Sequence, residues 1–190
     1  DMPKDKCEVI IYDNSPNEET KNYIDNWILE NNDINIRYQL NRPVTSAAQN
    51  WNNLLESSTG RYCLLFHNGE VPEKMNFFEE LVHRLEITQP DIALLNCILL
   101  DLKTKNSFFH LPIWLKSVVI RYFPRYILKQ NVIGPTSTLV VKKELYSKFD
   151  DKLKWLLDVD SYYRSLLSSK NIEVFKDLNI ISISENTDTL

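Results

Sequence analysis

The feature that most constrains this chain is the alternation of short β-branched runs with amphipathic helical segments through its first hundred residues. Glu8 to Tyr12 (EVIIY) reads as a buried strand ending at Asp13. Ser15-Pro16-Asn17-Glu18 then has the form of a capping box, and Tyr23, Ile24, Trp27 and Ile28 recur at helical spacing. Ile34 to Leu40 alternates as a second strand, broken at Asn41-Arg42-Pro43. Thr45 or Ser46 starts a helix carrying Ala47, Ala48, Trp51, Leu54 and Leu55. Tyr62 to Phe66 is a near-continuous apolar strand of the kind buried on both faces. A helix from about Glu73 to Glu86 and a strand from Ile92 to Leu100 follow. Such β-α-β-α-β-α-β alternation predicts an α/β domain, helices covering both faces of a mostly parallel sheet.

In sheets of that type, ligands bind outside the carboxyl ends of the strands. Asp13, Asn41 and the His67-Asn68-Gly69-Glu70 turn all fall at such ends, so polar groups gather on one rim.

The second half is less regular. Ile113 to Lys129 is aromatic and basic, and predicts a helix kinked at Pro124. Thr138 to Val141 reads as a strand, Lys142 to Phe149 as a short helix and Leu153 to Leu167 as a longer one. Ile172 to Phe175 and Ile180 to Ile183 read as closing strands.

Composition removes several function classes. The formal charge is −4, against a nucleic-acid partner held by phosphate neutralisation. Only three glycines are present, too few for a Gly-rich phosphate cradle. That argues against a sugar nucleotidyltransferase. No apolar run reaches the roughly 20 residues of a membrane span. Cys7, Cys63 and Cys97 have no zinc or disulfide spacing and read as reduced structural thiols of a cytoplasmic protein.

Three ordered blocks carry a resemblance: EVIIYDNSPNEET (8–20), NRPVTSAAQNWNNLLESSTGRYCLLF (41–66) and GPTSTLVVKKELYSKFDDKLKWLLDVDSYYR (134–164). Together they resemble family 2 glycosyltransferases. The resemblance implies a GT-A fold, a three-layer α/β/α sandwich, over a single domain spanning residues 1–190. It implies an inverting enzyme that moves a sugar from a UDP- or dTDP-linked donor to a glycan or lipid-linked acceptor in surface polysaccharide synthesis. The family's opening strand and helix have no counterpart before Glu8, so the expectation is a fragment or a chain that has lost this unit.

The site residues follow from the same resemblance. Asp13 matches the base-binding aspartate, and Asn41, Ser46 and Asn50 match positions lining the nucleotide pocket. His67, Asn68 and Glu70 stand in the diphosphate and metal region, where both aspartates of the family's Asp-x-Asp motif are replaced, by His67 and Gly69. A divalent cation, Mn²⁺ or Mg²⁺, would there rely on His67 and Glu70. Asp158 matches the catalytic base, although Leu157 replaces the acidic residue that usually precedes it. Each position also has a plainer role: an Asx turn at Asp13, helix capping at Ser46, a favourable helix start at Asp158, an Asp160–Arg164 pair at i,i+4 spacing. Ile113–Lys129 suits either peripheral contact with an anionic membrane or core packing. The competing function is a non-catalytic module of the same fold that binds a glycan or a protein.

Overall fold

The computed structural model describes residues 2–31 and 34–184. The elements run in the order β1 (Val9–Asp13), α1 (Glu19–Glu30), β2 (Ile36–Leu40), α2 (Ala47–Ser57), β3 (Tyr62–Cys63), β4 (Glu70–Pro72), α3 (Phe77–Thr88), β5 (Ile92–Asp101), β6 (Ser107–Phe109), α4 (Ile113–Tyr122), β7 (Leu139–Lys142), α5 (Leu157–Ser168) and β8 (Ile172–Ser184).

β5 explains the layering. Its residues Ile92 to Leu95 are fully buried and alternate between two cores. Ile92 and Leu94 face a cluster built with Leu55 of α2, Ile120 of α4 and Tyr162 of α5. Ala93 and Leu95 face Phe77, Leu81 and Leu85 of α3. A strand apolar on both sides is satisfied only between two helical layers. β7 behaves alike, with Leu139 and Val141 on one side and Val140 on the other. The expected three-layer α/β/α arrangement is thus realised.

Strand directions are more mixed than the alternation predicts. β1 pairs β2 in parallel as a separate two-stranded sheet. In the six-stranded sheet the path is β3-β7-β5-β8-β4, with β6 on β5. There β5 and β8 are parallel, and the β3–β7, β5–β7, β4–β8 and β5–β6 pairs are antiparallel. β7 returns antiparallel to β5 although α4 lies between them, and that half lacked the regular alternation on which the parallel expectation rested.

Several boundaries also move. α1 starts at Glu19 without a side-chain cap, because Asp13 has already taken the Ser15 N–H at 2.7 Å. The Ser15–Glu18 capping box does not form. The paired part of β3 is only Tyr62–Cys63, although Leu65 stays buried beyond it. Pro124, which lacks an N–H, ends α4, and Pro124–Leu128 continue as a 3₁₀ turn. The short helix expected from Lys142 shrinks to a 3₁₀ turn at Lys143–Leu145, since the Ser147 and Phe149 amides bond to Ser165 and Asn52 instead. α5 begins late, after Leu156 at φ 60°. The two closing strands are halves of one long β8, whose register against β5 jumps between Phe175 and Asn179.

Candidate active site

Asp13 ends β1 and is buried. Its Oδ1 accepts from the Ser15 N–H at 2.7 Å and its Oδ2 from the Tyr38 hydroxyl at 2.6 Å. Burial alone would raise this carboxyl. The bonds from Ser15 and Tyr38 and the Arg42 charge outweigh that and hold it below its ordinary value. The Asx turn is therefore real, and it leaves Asp13 an oriented anion at the strand end.

Asn41, at the end of β2, is almost fully buried. Its amide donates to Asn14 Oδ1 at 2.9 Å and to Asn50 Oδ1 at 2.7 Å, and Asn50 in turn donates to the Tyr12 carbonyl at 3.3 Å. These side chains tie β1, β2 and α2 together. Ser46 is exposed and caps α2, accepting from the Gln49 N–H at 3.1 Å.

α2 then links this rim to the His67–Glu70 turn. Trp51, next to Asn50, stacks on His67 with centroids 4.6 Å apart, and meets Phe149 edge-on at 4.8 Å. Asn52 donates to the Phe149 carbonyl and accepts from its N–H. Phe149 leads into the loop that enters α5, the helix of Asp158. From behind, Thr136 Oγ1 donates to the Leu65 carbonyl at 2.9 Å, two residues before His67.

Within the turn, the Glu70 carboxylate is only 6% exposed and accepts from the His67 N–H at 3.0 Å. His67 Nδ1 lies 3.9 Å from Glu70 Oε1, while His67 Nε2 is buried without a hydrogen-bond partner. Asn68 is exposed. Gly69 has φ +79°, and a Cβ there would sit 3.1 Å from the Ile183 carbonyl oxygen. An aspartate at that position is thus opposed by both backbone conformation and space. The donor set fits a hard divalent ion poorly. One imidazole and one carboxylate face each other, one carboxylate oxygen is engaged by the backbone, and no group of three His, Cys, Asp or Glu able to hold a metal occurs among the described residues.

Asp158 lies in the first turn of α5, partly buried. Its Oδ2 accepts from Asn131 Nδ2 at 3.2 Å. Beneath it, the fully buried Tyr162 phenol is pushed well up by burial, and then by the nearby charges of Asp158, Tyr146 and Glu70. Arg164 binds Asp160 Oδ2 through Nε at 2.9 Å, the pair expected at i,i+4. Arg164 also donates to the Lys148 carbonyl, so its guanidinium is occupied by these two partners.

Three participants escaped the sequence reading: Tyr38 beside Asp13, Trp51 on His67 and Asn131 on Asp158. Tyr38 sits within an ordinary alternating strand and Trp51 within an amphipathic stripe, so neither pattern marks it. Asn131 precedes Gly134-Pro135, a turn signal that points to loop chemistry but not to a partner 27 residues away.

A model of the glycosyl transferase family 2 matches residues 1–149. Solved structures share the fold. One is a crystal structure of Staphylococcus aureus TarS residues 1–349, with TM-score 0.73, 13% identity and coverage of 96% of this chain and 53% of that one. Another is the mannosyltransferase PcManGT from Pyrobaculum calidifontis with GDP-Man and Mn²⁺, with TM-score 0.67, 14% identity and coverage of 98% and 50%. A third is GalNAc-T7 with UDP, GalNAc and Mn²⁺, with TM-score 0.64, 10% identity and coverage of 95% and 38%. The chain thus spans about half the length, or less, of these structures. Among curated proteins no sequence match was found.

Proposed function

The chain belongs to glycosyl transferase family 2, and from that premise we propose that it forms the donor-binding and catalytic part of an inverting glycosyltransferase. It takes a sugar from a UDP- or dTDP-linked donor and passes it to a glycan or lipid-linked acceptor in surface polysaccharide synthesis. The observation that carries this reading is the run of contacts through α2 that links Asp13, the His67–Glu70 turn and the entry to α5.

In this reading Asp13 accepts from the nucleotide base, and Asn41, Ser46 and Asn50 shape the loop around it. His67, Asn68 and Glu70 flank the diphosphate. Asp158 removes the proton of the acceptor hydroxyl as its oxygen attacks the anomeric carbon and the nucleoside diphosphate departs. Two of the structural neighbours were solved with Mn²⁺. Among the described residues no third His, Cys, Asp or Glu joins His67 and Glu70 as a donor for Mn²⁺ or Mg²⁺, so no step is routed through the ion.

The test is a panel of UDP- and dTDP-sugars, with nucleotide release as readout. Asp158→Ala should abolish release while nucleotide still binds; unchanged turnover would remove the assignment.

The acceptor side adds a membrane contact. Trp114 and Tyr122 of α4 are 65% and 72% exposed, and Phe123 and Tyr126 extend that surface beside an apolar groove of about 230 Å³ lined by Leu115 and Val119. Within Ile113–Lys129, Arg121, Arg125 and Lys129 are exposed, Lys116 is buried, and no aspartate or glutamate occurs, although the chain's net charge is −4. Among the described residues no helix is long and apolar enough to cross a membrane. We propose that Ile113–Lys129 rests on the anionic cytoplasmic leaflet as a peripheral contact. Vesicles containing phosphatidylglycerol should bind the chain, and neutral phosphatidylcholine vesicles should not. Equal binding, or none, would count against the contact.

A second reading is favoured by the weak donor set at His67 and Glu70: a non-catalytic module of the same fold that binds a glycan or a protein. Absence of UDP binding both with and without Mn²⁺ would support it.

A further inference from the structure

All four hydrogen-bonding positions of the Asn131 side chain are used, and their geometry fixes which way the amide points. Oδ1 accepts from the backbone N–H groups of Ile133 at 3.1 Å and Gly134 at 3.0 Å. Nδ2 donates to the Gly134 carbonyl at 3.0 Å and to Asp158 Oδ2 at 3.2 Å. Two backbone donors can only face an oxygen, and a carbonyl and a carboxylate can only face an NH₂ group, so the flipped amide is excluded.

The turn that carries Asn131 is held from behind. The Ile133 carbonyl accepts from the fully buried Lys116 Nζ at 2.8 Å, and the Thr138 hydroxyl donates to the Pro135 carbonyl at 2.7 Å. The hydroxyl of buried Tyr162, one turn after Asp158 on α5, reaches the Gly134 carbonyl at 3.4 Å. Gly134 itself has φ +108°, with the Thr138 and His110 side chains and Cys97 close to where a Cβ would project. Asn131 is therefore a rigid bracket on a rigid turn, and one of its N–H bonds ends on the carboxylate.

We infer that Asn131 is the positioning residue for Asp158. It aims the carboxylate and leaves Oδ1 of Asp158 as the oxygen free to meet an acceptor hydroxyl. The inference rests on the reading of Asp158 as base. Misplacing a reacting group by about 1 Å can cost on the order of 10²-fold in rate.

Asn131→Asp separates this role from a purely structural one. It keeps the oxygen that accepts from Ile133 and Gly134, and replaces the NH₂ group that donates to Asp158 and to the Gly134 carbonyl by a second carboxylate oxygen, so the double variant with Asp158→Asn is needed to isolate the Asp158 bond. With nucleotide release from the UDP- and dTDP-sugar panel as readout, kcat should fall on the order of 10²-fold with donor KM unchanged. A merely structural Asn131 predicts near wild-type kcat for this variant, and that result would overturn the inference.

Thermal unfolding gives a readout independent of any donor. Asn131→Asp should lower the melting temperature. Adding Asp158→Asn should recover part of the loss, because an amide at 158 can donate to a carboxylate at 131. Additive effects would mean no coupling and would equally overturn the inference. Asp158→Ala distinguishes the two failures. If it retains turnover, the base reading falls; if it is inactive while Asn131→Asp turns over normally, only the positioning role falls.

Discussion

Trp51 lies on His67 with ring planes 25° from parallel, so the flat face of the indole covers one side of the imidazole. The stacked His67 sits with Nδ1 3.9 Å from Glu70, and among the described residues no third His, Cys, Asp or Glu joins the pair as a metal site.

His67→Asp should therefore create a metal site. It removes the stacked ring and places a second carboxylate beside Glu70, giving the hard oxygen donors that Mn²⁺ prefers. Electron paramagnetic resonance of added Mn²⁺ should show tighter binding to the variant than to the parent chain. Equal affinity would mean that the turn lacks the geometry as well as the ligands. Gly69→Asp should not substitute for it, because of the +79° φ and the Ile183 carbonyl.

Tyr38→Phe should weaken nucleotide binding and destabilise the chain by about 1.5 kcal/mol, the lower end for a hydrogen bond to a charged group. Asp13 titrates below its ordinary value when folded. Its contribution to stability is present above that ordinary value and fades as the pH falls through the folded value. Part of that acid-side loss should disappear in the variant. Melting curves between about pH 3 and 6, compared with the parent, would reveal it.

Lys116 is buried, and burial lowers its ammonium from 10.5 to about 8. Between those values the unfolded chain binds more protons than the folded one, so this group makes stability rise with pH. Lys116→Met should abolish that rise. It should also lower stability at pH 7, because the single Thr138 hydroxyl proton is directed at the Pro135 carbonyl at 2.7 Å, against 3.3 Å to Ile133, and the buried Ile133 carbonyl loses its strong donor. A variant as stable as the parent at pH 7 would show that desolvation of the ammonium offsets its bond.

Asp91 joins three elements. It accepts from Lys142 Nζ at 2.6 Å and from the backbone N–H groups of Lys170 and Asn171. The Lys142 bond first, then the Lys170 bond, hold it down at about 2. Its stabilisation is complete above about pH 4 and is lost as the pH falls toward 2. Asp91→Asn should cost about 2 kcal/mol at neutral pH and flatten the stability profile over that acid window. Urea denaturation at pH 7 and pH 2.5 would measure both.

The layered fold was legible because strand-like runs alternate with amphipathic helices through the first hundred residues, and Tyr62 to Phe66 is near-continuously apolar. Strand direction was not legible. Whether β7 returns antiparallel depends on its connection to β5, and the intervening α4 region has no simple period. Caps and boundaries failed where a side chain bonded elsewhere. Asp13 took the Ser15 N–H needed by the expected cap, and Asn52 took the Phe149 N–H needed by the expected helix. For the site, strand ends announced Asp13 and the His67–Glu70 turn. Their partners Tyr38, Trp51 and Asn131 depend on contacts between distant segments, which no local pattern encodes.

β1 and β2 form their own small sheet, and among the described residues side chains bond it to α2 and to the loop before β3: Glu8 Oε1 grips Thr59 and Gly60, and Asn50 reaches the Tyr12 carbonyl. Polar clasps exchange with water far more readily than a backbone ladder does. A nucleotide sugar spanning Asp13 and Asp158 would act as a strut across that seam. The intact donor should then slow amide exchange on both flanks, whereas the free nucleotide should quieten only one.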